Sequence, residues 1–165
     1  MDSIKVETLL KDQDFDLRLE LLAGETGLDR RVVSSRIQKP GLALSGFTEH
    51  IHKDRLQVFG NTEMSYLATL KPGEAQARMR GLFRLPVACL VVTKNLPVDD
   101  MIKREANDAR VPLMRTSHLS STFIDNVGQF PCAAENSPLP MRSAKLVARR
   151  QAVPGVTRRR CIPPI

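Results

Sequence analysis

A chain of 165 residues, 42% hydrophobic but only 4% aromatic, with no Trp and one Tyr, is long enough for one domain with an aliphatic core and an extension. The net charge of +7 would point to an acidic partner such as nucleic acid, but residues 1–130 hold 18 Lys and Arg against 17 Asp and Glu, while residues 131–165 hold 7 against a single acid, Glu135. No apolar run nears the roughly 20 residues that cross a bilayer, and "MDSIKVETLL" lacks the basic and apolar regions of a secretory leader, so no membrane partner and a cytoplasmic setting are expected.

The first sixty residues are irregular. "SIKV" and "LRLELL" read as short strands around a small helix at "ETLLKD", "GETGLD" as a turn, and residues 30–37 as a strand centred on Val32 and Val33. From residue 55 the grammar is clearer. "RLQVF" is a strand stopped by Gly60, and "NTEMSYLATL" a helix with Asn61 or Thr62 as cap and Met64, Leu67 and Ala68 on one face. Lys71, Pro72 and Gly73 break the chain before a second helix, "EAQARMRGLFR", whose apolar face is Ala75, Met79, Leu82 and Phe83.

"VACLVVT", residues 87–93, is continuously apolar apart from its last residue, as expected of a strand buried on both faces of a parallel sheet. Pro97 opens another helix, with Asp99 and Asp100 at its positive end and Val98, Met101, Ile102, Ala106 and Ala109 as its buried stripe. "VPLMRT" is a short strand whose proline points to an edge or a strand start. The last helix, "HLSSTFIDNVGQF", buries Leu119, Phe123, Val127 and Phe130, with Ser117 as cap.

Alternating strands and helices place residues 1–130 in the α/β class, with a mixed or parallel sheet flanked by helices. Residues 131–165 hold six of the eleven prolines and no sustained apolar period beyond a helical hint at "RSAKLVARR", so an irregular Arg/Pro-rich tail is expected there. The three cysteines, Cys89, Cys132 and Cys161, are odd in number and unpaired in spacing, which fits a reducing compartment with Cys89 as a small buried hydrophobe.

The stretch "FDLRLELLAGETGLDRRVVSSRIQKPGLALSGFTEHIHKDRLQVFGNTEMSYL", followed by "VACLVVTKNLP" and "VPLMRTSHLSSTFI", resembles the N-terminal domain of HPr kinase/phosphorylase, in the same order, from about residue 3 to residue 130. The resemblance implies a bacterial cytoplasmic enzyme of two domains. Its C-terminal P-loop domain uses ATP and Mg²⁺ to phosphorylate a serine of the phosphocarrier HPr and also reverses that reaction. Its N-terminal domain is similar to those of Mur ligases and acts as an assembly or regulatory module, and the complete enzyme is a homohexamer. Homo-oligomerisation, or co-assembly with full-length subunits, is therefore an expected partnership, with HPr engaged only through the other domain. A P-loop needs G-x-x-x-x-G-K-[ST], and no Gly-Lys dipeptide occurs in this sequence. The expectation is a truncated chain that transfers no phosphate, with the reading frame shifted after Phe130.

No catalytic residue is nominated. In open α/β sheets ligands favour the crevice beyond the carboxyl ends of strands, which nominates Asn61, Thr62, Lys94, Arg115, Thr116 and Ser117 as a small-anion or metabolite site. The competing reading makes them ordinary caps and loop residues. Arg36 and Lys39, beside Pro40 and Gly41, form a second candidate anion loop; the structural alternative, which is preferred, is a strand over residues 34–37 followed by a helical turn at "LALSG". His50 and His52 have the spacing of a metal pair on a strand but lack a third ligand, so a solvated loop and no metal are expected. His118 beside Ser120 and Ser121 offers no oxyanion arrangement. The arginines at 158–160 lack interleaved aromatics, which argues against nucleic acid.

Overall fold

The computed structural model describes residues 3–130, and the expectations for residues 131–165, including Cys132, Cys161 and the arginines, lie outside the described residues. The elements are β1 (Ile4–Lys5), α1 (Val6–Leu10), β2 (Leu19–Ala23), β3 (Arg31–Val32), α2 (Gly41–Leu44), β4 (Leu56–Phe59), α3 (Asn61–Thr69), α4 (Pro72–Arg84), β5 (Cys89–Val92), α5 (Asp100–Asp108), β6 (Leu113–Thr116) and α6 (Ser120–Gly128), with a 3₁₀ turn at Glu25–Gly27. The main sheet has the order β2-β6-β5-β4. β4, β5 and β6 run parallel, and β2 closes one edge antiparallel to β6, so the sheet is mixed, as the class expected. β1 and β3 form a separate antiparallel pair.

Side-chain alternation along the parallel strands sorts the core into two layers. Phe59, Leu90, Val92 and Leu113 face α2 to α5, where Leu44, Leu67, Met79, Leu82, Ile102 and Ala106 complete one cluster. Leu56, Val58, Cys89, Val91 and Met114 face the other way, onto Val6, Leu9, Val32, Phe123, Val127 and Phe130 from α1, β3 and α6. The all-apolar composition of β5 follows from this sandwiching, because both of its faces are covered.

Several sequence expectations shift. The strand expected at residues 30–37 is only two residues long, and Val33 is exposed. Beyond it the chain runs along the outer edge of β4, where Gln38 forms a lone parallel bridge with Gln57; its N–H donates to Leu56 O and its carbonyl accepts from Val58 N, both at 2.9 Å. This strap shields the edge of β4, and the short helical turn that follows it is α2. α4 begins at Pro72 rather than at residue 74, because proline at the first helical position needs no N–H partner. α5 starts at Asp100, not Pro97: Asp99 is the cap, its Oδ1 accepting from Met101 N at 2.7 Å. Pro112 precedes β6, which lies inside the sheet, so of the two readings of that proline the strand start holds and the edge does not. Leu119 is the residue before α6 and is exposed, whereas Phe123, Val127 and Phe130 are buried as expected.

The turn "AGETG" is built against the end of α5. Gly24 has φ +75°, and a Cβ there would lie 2.0 Å from Val111 O; a Cβ on Gly27 would lie 2.1 Å from Arg110 O. Arg30 ties the same corner together. Its Nε donates to Arg110 O at 2.8 Å, Nη1 to Val87 O at 2.8 Å and Nη2 to Ala109 O at 3.2 Å. A guanidinium at the negative end of α5 satisfies carbonyls that the helix itself cannot.

Candidate functional site

The carboxyl ends of β4, β5 and β6 lie side by side, so the residues that follow them share one end of the sheet. At its centre Thr93 is fully buried. Its Oγ1 lies 3.1 Å from Phe59 O and 2.7 Å from Ser120 Oγ. A carbonyl only accepts, so Thr93 donates to Phe59 and Ser120 donates to Thr93. Gly60 sits against both hydroxyls and the Glu63 carboxylate: a Cβ there would lie 3.1 Å from Ser120 Oγ, 3.5 Å from Glu63 Oε2 and 3.9 Å from Thr93 Oγ1. Glu63 is buried at the start of α3, and its Oε2 accepts from Gly60 N at 2.8 Å. A carboxylate at a helix N-terminus is favoured by the dipole, and here it takes the place an anion would seek.

Asn61 and Thr62 are exposed in the first turn of α3, and neither caps it; Gly60 is the cap residue and Glu63 supplies the side-chain bond. Lys94 and Asn95 both adopt left-handed backbone, with φ 61° and 54°. Their amides turn inward: Lys94 N donates to His118 O at 2.8 Å and Asn95 N to Thr116 O at 2.9 Å. The β5–α5 loop is thereby laced to the β6–α6 loop. Thr116 is buried and donates through Oγ1 to Leu17 O at 2.8 Å. Arg115 pairs with Glu20, its partner across β6 and β2, through Nε at 3.1 Å and Nη2 at 2.7 Å. Ser117 is exposed and is not the cap of α6, whose cap residue is Leu119. The six residues thus share one end of the sheet, but Thr116 and Arg115 already hold structural partners there.

Arg36 and Lys39 are exposed on the strap beside β4, not at the strand ends. The loop after α2 is pinned by Gln38, whose Nε2 donates to His50 O at 2.6 Å and whose Oε1 accepts from His52 N at 3.1 Å. His50 is exposed, its ring tilted against Phe47 at 5.4 Å. Among the described residues no group of three or more His, Cys, Asp or Glu is placed to hold a metal ion. His118 Nε2 lies 2.6 Å from Asp16 O, which makes that nitrogen the donor and engages it away from Ser120.

Reading the sequence missed Glu63, Thr93 and Ser120 as a cluster. The spacing of Gly60 to Glu63 is that of a capping box and could have revealed the first; the hydroxyl pair depends on two distant segments and has no local signature. The arrangement is a set of mutually satisfied groups, with no nucleophile held by a free base. Apart from it, an apolar cleft of about 660 Å³ opens between α3, the first turn of α4 and the start of α5, with Ser65 and Asp99 as its polar lining among the described residues. Among the described residues no helix is long and apolar enough to cross a membrane.

The family model described as HPr Serine kinase N terminus matches residues 4–130. An HPr kinase/phosphorylase of Geobacter sulfurreducens is 48% identical over 128 residues, covering 78% of this chain and 40% of that protein. One of Bacillus cereus is 33% identical over 117 residues, covering 71% of this chain and 37% of its own. The chain therefore spans about two fifths of the length of the curated relatives it matches. Among solved structures, the CBS and DRTGG domains of the regulatory region of Clostridium perfringens pyrophosphatase, complexed with the activator diadenosine tetraphosphate, share the fold at a TM-score of 0.50 and 20% identity, over 78% of this chain and 52% of that one.

Proposed function

The chain belongs to the HPr serine kinase N-terminal family, and from that membership we propose that it is the non-catalytic module of an HPr kinase/phosphorylase, acting in the cytoplasm of a bacterium. Its role is assembly and regulation within a system that phosphorylates and dephosphorylates a serine of HPr. One observation carries this reading. The family match fills residues 4–130, while the 165-residue sequence contains no G-x-x-x-x-G-K-[ST] run. Phosphoryl transfer depends on backbone amides and a lysine that cradle the phosphates and on a held Mg²⁺. The residues present do not fit Mg²⁺-ATP, and no step of transfer is assigned to them. The strand-end hydroxyls of Thr93 and Ser120 are bonded to each other, and the first turn of α3 faces the carboxylate of Glu63.

The test is direct. Purified chain, HPr and Mg²⁺-ATP are incubated, and HPr is analysed by mass spectrometry for phosphoserine; serine-phosphorylated HPr is likewise incubated with chain and inorganic phosphate. No change in either phosphorylation state is expected, and turnover above the protein-free control would overturn the reading. An assembly role further expects the chain to co-elute with a full-length relative such as the Geobacter enzyme.

A further inference from the structure

The strap beside β4 is held differently from the sheet it covers. Residues 33–39 include no buried residue, and the anchors on either side of them are the buried Val32 and Pro40. The loop over residues 45–55 likewise includes no buried residue. Gln38 fastens both. Its backbone makes the two 2.9 Å bonds to Leu56 O and Val58 N, and its side chain bonds His50 O and His52 N across the loop. A segment fixed by hydrogen bonds near solvent, with little apolar burial, opens at lower free energy than a packed sheet does. β4 itself is fully buried from Leu56 to Phe59. On its inner side Ala88 N donates to Arg55 O at 3.1 Å and Thr93 N to Phe59 O at 3.0 Å.

The strap also covers an uncompensated group. Gln57 is fully buried, yet its Oε1 has no hydrogen-bond partner among the described residues, and its Nε2 reaches Arg55 O only at 3.4 Å. Bridge partners present their side chains to the same face, so the Gln38 and Gln57 side chains leave one face of the strand pair. A buried amide oxygen without a donor raises the free energy of the closed state, and lifting Gln38 lets water reach it. We propose that residues 33–39 are a releasable cover over the outer edge of β4, with Gln38 as its latch and Gln57 as the group that favours release. Release bares Leu56 O and Val58 N, the main-chain acceptor and donor that a strand edge presents for pairing.

Hydrogen exchange of the full chain, followed by NMR across a series of low urea concentrations, tests this. The amides of Gln38 and Val58 report on the strap, and those of Ala88 and Thr93 on the far side of β4. The strap amides are expected to exchange about 100-fold faster than the sheet amides and to respond little to urea, because a local opening exposes little surface. Leu113→Val trims the core at β6, two strands away, and should speed Thr93 exchange about tenfold while leaving Val58 unchanged, since the opened strap keeps that core intact. Gln38→Ala removes two bonds of the latch and should speed Val58 exchange about tenfold. Gln57→Leu removes the orphaned oxygen and should slow Val58 exchange about fivefold or more. Unchanged circular dichroism establishes the fold of each variant. Strap amides that exchange at the rate and with the urea dependence of the sheet would overturn the proposal. So would a Leu113→Val chain in which Val58 speeds up as much as Thr93, or a Gln57→Leu chain in which Val58 exchange does not slow.

Discussion

Gly27 is fixed by its neighbour rather than by its own backbone. Any side chain there would drive a Cβ to within 2.1 Å of the Arg110 carbonyl, and neither the peptide nor the following Pro112 can move aside cheaply. Gly27→Ala is therefore expected to cost at least about 2 kcal/mol, read as a lower urea midpoint at unchanged slope. The G-x-x-G spacing was legible as a turn, but the reason for the second glycine was not, because the carbonyl that forbids a side chain lies more than eighty residues away in sequence. Lys94 and Asn95 teach the same lesson. Both hold the left-handed region although neither is glycine, since their inward amides complete the loops of two different strands. A local reading treats such residues as free polar groups near a crevice, whereas their placement is imposed by distant acceptors.

α4 and α5 are joined by an ion-paired cluster as well as by apolar contact. Glu105 on α5 is buried, and its carboxylate accepts from Arg80 Nε at 3.0 Å and Nη2 at 2.8 Å, and from Gln76 Nε2 at 2.7 Å, both partners on α4. The bond from Arg80, then that from Gln76, hold the Glu105 carboxyl below its ordinary value of 4.5, against the opposing effect of burial. A depressed acid stabilises the fold in full above its unfolded value and loses that contribution as pH falls through the lower folded value. Arg80 is half exposed, which limits the pair to about 1 kcal/mol. Glu105→Gln should thus lower stability by that amount at neutral pH. The difference from wild type should shrink as pH falls below 4.5, as measured by denaturation at several pH values. Strands and helices of this layer were readable because apolar period and burial coincide, as in β5 and along the Ala75, Met79, Leu82 and Phe83 face. The start of α3 at Asn61 was readable although its cap is Gly60, whereas the start signals at Pro97 and Ser117 gave way to Asp99 and Leu119 as the residues before α5 and α6.

The two apolar layers meet at β5, and Cys89 lies at that meeting, fully buried with its thiol pushed up to about 12 by desolvation, against a small opposing pull from Arg30. Such a thiol is inert until the layers part. With Cys132 and Cys161 replaced by serine, Cys89 should resist a thiol reagent in buffer and react fully in urea, at a rate that follows global unfolding by circular dichroism. Reaction in buffer at the rate of a free thiol would show that the layers open independently. The sheet order has a further consequence for how the chain is made. Among the described residues β2 pairs with β6 alone, and Leu19 lies opposite Thr116. During translation, then, the second strand to leave the ribosome finds no edge to join until nearly a hundred further residues have emerged. The Leu-rich stretch of β2 waits unpaired through most of synthesis, the interval in which a nascent chain depends most on chaperones.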